Sequence, residues 1–202
     1  MRGLVPVEIA IVIAIALLPI PDPLPLAIPL ILAASITKWV RGASWGDVIS
    51  ARRLHALVGV AAGIVALAIA LLGGAPLVEA LTSRAVEWSS NAIVRGNMAM
   101  LGGVVVYAAT MSLCMELALR GWIVERVLEL RGSTHVMVAV LVGAAAEAIL
   151  TPGELVVRIG GAIWGIGFGW IYVAANRNVL APMLARVTFT VVLVILEGMR
   201  VV

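Results

Sequence analysis

Charge is scarce in this chain. Asp, Glu, Lys and Arg supply 12% of its 202 residues while apolar types supply 63%, and the mean hydropathy is +1.15. A soluble domain is about a quarter charged and about half apolar, so this composition excludes a water-soluble fold and predicts an integral membrane protein. Only one cysteine is present, Cys114, which rules out an internal disulfide framework and any CxxC metal or redox pair. Only one lysine is present, Lys38, and no Gly-rich loop ends on it, so a phosphate-cradling nucleotide site is absent. The two histidines, His55 and His135, stand apart, each at the first turn of an apolar run, and read as interfacial. Without HExxH or a Cys/His cluster, no metal and no other cofactor is expected. A GxSxG elbow is missing too, and no serine beside a histidine or lysine suggests a nucleophile. Basic residues are not interleaved with aromatics, which excludes a nucleic-acid surface. Nor does a polar or Gly/Ser-rich linker divide the chain, so residues 1–202 are read as one membrane domain.

What is present is a succession of apolar runs. Leu4 to Leu18 is the first, read as a retained helix and not a signal peptide, because no small-residue cleavage site follows it. It ends at the proline-rich Pro19 to Pro25, which removes too many N–H donors for a helix to continue. Leu26 to Val40 is shorter, tilted or re-entrant, and a basic loop from Lys38 to Arg53 carries Trp39 and Trp45 as interfacial anchors. Leu54–Leu72, Met98–Leu119, His135–Leu150, Leu155–Ala175 and Val179–Val194 complete about seven spans, an all-α polytopic transmembrane bundle. Between them, Gly73 to Asn97 mixes apolar and charged positions and predicts an amphipathic surface helix with Trp88 at headgroup depth. With the N-terminus in the cytoplasm, nine Arg or Lys residues fall on the inner side and four on the outer, the expected bias for a prokaryotic plasma membrane.

Five carboxylates fall in or at the edges of these runs: Glu8, Glu116, Glu147, Glu154 and Glu197. A charge inside a bilayer costs from about 3 to above 10 kcal/mol unless it is paired or hydrated. Glu116 and Arg120 are spaced i, i+4 and can neutralise each other on one helical face; the helix carrying them is expected to leave the bilayer near Arg120. Glu147 is flanked by small and apolar residues, and Arg186 lies about two turns into the last span. A buried Glu147–Arg186 or Glu116–Arg186 pair follows from the cost of leaving either charge alone. Glu8 and Glu197, near span ends, read as interfacial. Gly161, Gly165 and Gly169 are four apart on one face, the small-residue device by which helices approach closely.

The motifs around these charges give a resemblance. Met115-Glu116-Leu117-Ala118-Leu119-Arg120-Gly121, the helix Leu141 to Ala146, the glycine-rich Gly161 to Tyr172 and the stretch Asn178 to Ala185 follow one another in the order of a known pattern. The chain resembles the CPBP family of intramembrane proteases, which includes the CAAX prenyl endopeptidase and bacteriocin-processing or immunity proteins. The family-like core covers about residues 98–200. The resemblance implies a CAAX-protease-like bundle in which a leading glutamate activates water while two histidines and an asparagine position it.

In this chain Met115 stands for the leading glutamate, Val142 for a phenylalanine, Ala146 for the first histidine, Arg186 for the second and Thr190 for the asparagine. General-base and oxyanion groups each contribute about two or more powers of ten in rate, so their joint loss removes most of the chemistry. The resemblance therefore implies a catalytically degenerate member, a membrane-embedded binding or scaffolding protein. In it Arg186 would hold an anionic end such as a lipid phosphate or the C-terminal carboxylate of a peptide or lipidated protein. Two other readings stand beside it. One is a divergent endopeptidase using Glu116, Arg120 and Glu147 as its catalytic set. The other is a small transporter whose interior charges form a pathway.

Overall fold

The computed structural model describes residues 5–17, 27–83, 97–151 and 154–199, and every regular element among them is helical. We number seven helices. α1 is Val5–Leu17 and α2 is Ala27–Val40. α3 runs from Arg53–Ile69 through a π turn at Ala70–Gly74 into Ala75–Thr82. α4 runs from Met98–Ala118 through a π turn at Leu119–Val124 into Glu125–Arg131. α5 is Val136–Leu150, α6 is Leu155–Ala174 and α7 is Leu180–Gly198.

Four of the seven, α3, α4, α6 and α7, are long and apolar enough to cross a membrane. The expected seven spans thus become seven helices of two lengths. With 14 and 15 residues, α2 and α5 rise only about 21–22 Å, less than the ~30 Å of a bilayer's hydrocarbon core. The outer faces of the long helices carry Leu57, Ile64, Leu72, Val106 and Ile163, all well exposed, as helices that turn apolar side chains to lipid require.

The expected boundary at Gly73 does not hold. Gly73 and Gly74 fall in the π turn of α3 rather than ending it, and the helix continues to Thr82, where Ser83 takes a left-handed φ of 54°. Trp88 lies outside the described residues, as do Pro19 to Pro25. α4 carries Glu116 and Arg120 on one continuous helix, as expected. The helix runs on to Arg131, and all six residues of its π turn, Leu119 to Val124, are buried. That turn is ringed by two cores. Leu30 and Ala34 of α2 meet Leu119, Trp122 and Ile123 on one side. Val48, Tyr172, Val179 and Met183 meet Val124 and Val127 on the other.

Trp45 is not a pendant anchor. It is half-buried against both cores, donates from Nε1 to Ser35 Oγ at 3.3 Å, and lies beneath the Lys38 ammonium at 4.8 Å. Trp39, by contrast, is exposed as the anchoring role requires.

Glycines set how closely the helices approach. A Cβ on Gly165 would stand 2.7 Å from Ala144 Cα, one on Gly169 2.9 Å from Val140, and one on Gly161 2.5 Å from Thr151 Oγ1. The glycine face of α6 is therefore the face packed on α5. A second pair, Gly59 and Gly63, does the same for α3 on α7, with the Ala181 and Ala185 carbonyl oxygens 2.5 and 2.4 Å from where a Cβ would be. Gly102 on α4 has nothing within 4 Å.

Gly63→Ala accordingly lowers stability by about 1–3 kcal/mol, because the obstacle is backbone and cannot rotate away. Gly102→Ala leaves it unchanged or raises it by up to about 1 kcal/mol through helix propensity. Thermal unfolding of the purified variants in detergent measures both, and equal shifts would contradict the packing described.

Candidate functional site

Four side chains that the sequence places on three separate helices meet in the interior. Glu116 and Arg120 lie one turn apart on α4, and Arg120 Nη1 donates to Glu116 Oε1 at 3.1 Å. Arg186 of α7 donates from Nε to the same Glu116 oxygen at 2.6 Å, and from Nη2 to Oε1 of Glu147 on α5. Arg120 Nη2 stands 2.8 Å from Glu147 Oε2, which closes the ring. Two carboxylates and two guanidinium groups form a quartet with no net charge. The side chains of Glu116 and Arg120 are fully enclosed, Glu147 is 5% exposed, and Arg186, at 16%, is the most accessible of the four.

Local sequence explains how each member arrives. Arg120 Nη2 also donates to the Gly165 carbonyl oxygen at 2.8 Å. That carbonyl is within reach only because the missing side chain lets α6 press against α5 at Ala144. The same Nη2 approaches Glu147 Oε2 without the alignment of a hydrogen bond, since it is aimed at the carbonyl. Phe168, one turn beyond Gly165, lies under both cations, its ring centre 5.1 Å from Arg186 Cζ and 5.9 Å from Arg120 Cζ. One turn along the α4–α7 seam, Ser112 Oγ donates to Thr190 Oγ1 at 3.2 Å. Glu116 Oε2 and Arg120 Nε have no hydrogen-bond partner among the described residues, so the quartet satisfies its charges more fully than its hydrogen bonds.

Neighbouring positions on the same helices point elsewhere. Met115 and Ala146 each precede a quartet carboxylate by one residue, about 100° around the helix. Both pack on the apolar core of Leu30, Ala34, Trp122 and Leu150. The structure thus brings Glu116, Arg120, Glu147 and Arg186 together, seats Thr190 beside them, and turns Met115 and Ala146 to a different environment. No group of three or more His, Cys, Asp or Glu side chains able to hold a metal ion occurs among the described residues.

Two further charged clusters have no counterpart in the sequence reading. Glu8, expected at an interface, is buried: Arg41 Nε donates to its Oε1 at 2.6 Å, and Arg126 Nε lies 3.2 Å from its Oε2. Arg41 Nη1 and Arg126 Nη1 both reach Glu129, so this cluster ties α1, α2 and the end of α4. The i, i+3 spacing of Arg126 and Glu129 was the only local signal for it. In the second cluster Glu125 accepts from Tyr172 Oη and from Arg177 Nε and Nη2, which holds the Arg177 guanidinium above its usual range. Glu197 is also buried, near the end of α7, and Glu154 precedes the first turn of α6. His135 is exposed beside Thr134, whereas His55 is half-buried and hydrogen-bonded to Asn178.

No protein-family model, curated protein or solved structure matches this chain.

Arg186→Ala leaves two buried carboxylates sharing one cation and is expected to cost about 3–5 kcal/mol. The double variant Glu147→Leu/Arg186→Met removes one charge of each sign, keeps the Glu116–Arg120 pair and costs less than the sum of its single changes. Denaturant titration in mixed micelles reads both, and strict additivity would show that the pair is not coupled.

Proposed function

We propose that this chain is a membrane-embedded, non-proteolytic binding or scaffolding protein built on a CAAX-protease-like plan, with its N-terminus in the cytoplasm. The observation that carries the reading is the lodging of Arg186 between Glu116 and Glu147. A protease of this kind needs a carboxylate that meets water and neutral side chains that position it. Here the two carboxylates are enclosed and committed to fixed cations. The positions where the resemblance expects the water-activating glutamate and the first histidine, Met115 and Ala146, lie in an apolar core.

In this reading the quartet holds the helices that once surrounded a reaction centre. Arg186, its most accessible member, meets the anionic end of a partner: the C-terminal carboxylate of a peptide or lipidated protein. Counted with all seven helices crossing, arginine and lysine divide nine to four in favour of a cytoplasmic N-terminus.

The test uses the purified chain in lipid vesicles with prenylated and unprenylated peptides, each with either a free or an amidated C-terminus. No peptide is cleaved, and the free-acid forms bind at least about tenfold more tightly, the worth of one charge-assisted hydrogen bond. Equal binding of acid and amide removes the role given to Arg186. Cleavage that Glu116→Gln abolishes establishes the endopeptidase reading instead, and ion flux that Glu147→Gln abolishes establishes transport.

A further inference from the structure

Away from the quartet, the ends of three long helices surround a small polar recess. α3 begins at Arg53, α6 ends at Ala174 and α7 begins at Leu180, so the recess lies at the ends of three helices long and apolar enough to cross a membrane. Its volume is about 140 Å³, and its polar lining comes from Asp47, Ser50, Arg52 and His55 on one side and Asn176, Arg177 and Asn178 on the other.

Asn178 organises the recess, and its hydrogen bonds assign the orientation of its amide. Its Oδ1 faces the backbone N–H groups of Leu180 at 2.9 Å and Ser50 at 3.4 Å, which can only donate. Its Nδ2 therefore faces the Ser50 carbonyl at 2.8 Å and His55 Nδ1 at 2.7 Å. His55 Nδ1 must accept, so the proton of the neutral ring resides on Nε2, a donor with no protein partner among the described residues. Arg52 likewise has no ion-pair or hydrogen-bond partner for its side chain among them. The other charges are already engaged. Asp47 is turned back on its own loop, accepting from Ser44 N at 2.7 Å and Ser44 Oγ at 3.2 Å, and Arg177 is held by Glu125. What remains uncommitted among the described residues is the Arg52 guanidinium, the His55 Nε2–H and the side-chain amide of Asn176, next to the positive N-terminal ends of α3 and α7.

We propose that this recess binds a phosphate group, and that its source is the headgroup of an anionic phospholipid. Arginine's planar donors match phosphate oxygens in pairs, the His55 Nε2–H supplies a third donor, and the volume suits a phosphoryl group better than an acyl chain. Its depth, at the ends of three long apolar helices, is that of lipid headgroups and not of a bilayer interior. This site shares no residue with the quartet, and it stands whether or not the quartet binds a partner.

The chain contains only two histidines, so nitrogen-15 imidazole spectra of the full-length protein in uncharged detergent resolve each ring. The expected starting spectrum for His55 is that of an Nε2–H tautomer. Short-chain phosphatidylglycerol shifts its Nε2 signal saturably and leaves His135 unmoved, while diacylglycerol with the same chains does nothing. Arg52→Gln weakens the apparent affinity by about tenfold or more. Arg158→Gln, remote on the apolar recess between α5 and α6, leaves it unchanged. Saturation by inorganic phosphate at the same concentrations as the lipid overturns the headgroup assignment in favour of the free anion. A His55 ring that responds to neither, or responds equally in Arg52→Gln, overturns the site.

Discussion

Electroneutrality in a medium that cannot solvate charge is the constraint on which this structure rests. Glu116, Arg120, Glu147 and Arg186 are each prohibitive alone in an apolar interior, and bulk water does not reach the first two. Only their joint presence is tolerable, and it requires α4, α5 and α7 at fixed separations and rotations. α6 is drawn in as well, because Arg120 also takes the Gly165 carbonyl. A buried ion cluster of this kind contributes little net stability compared with an apolar core of the same shape. Its effect is selective: arrangements that separate the four charges are disfavoured more than the native one is favoured.

The glycines make that registry reachable. Guanidinium and carboxylate groups must meet within about 3 Å to compensate desolvation, and helices spaced by large side chains could not bring them there. Gly165 and Gly169 close α6 on α5, and Gly59 and Gly63 close α3 on α7. Packing and electrostatics are thus one device. The π turn of α4 contains Arg120, and each of its residues is buried, so a local widening of the helix coincides with its most crowded level.

Charge is also distributed along the bundle. The cluster of Glu8, Arg41, Arg126 and Glu129 and the set of Glu125, Tyr172 and Arg177 both lie beyond the π turn, toward the end of α4. Between them and the quartet, Leu119, Trp122 and Ile123 form an apolar layer. The layer separates an enclosed neutral centre from a polar end where loops, helix ends and the Asn178 network meet. It also gives no support to a continuous charged pathway through the protein, the premise of the transport reading.

Composition and periodicity alone determined that the chain is helical and apolar on its outside. They determined as well that Arg186 needed a carboxylate from another helix, since the cost of isolated charge in hydrocarbon does not depend on the fold. The i, i+4 pair of Glu116 and Arg120 and the packing face of Gly161, Gly165 and Gly169 were legible because helical geometry fixes which residues share a face. Tertiary structure alone decided that Arg186 would take both Glu116 and Glu147, that Met115 and Ala146 would face a separate apolar core, and that Glu8 would be buried. Each of these depends on the rotation and depth of one helix against another, and those are set by contacts between residues far apart in the chain. Asn178 shows the same limit: no local pattern reveals that its amide will join Ser50 and His55 across more than a hundred residues.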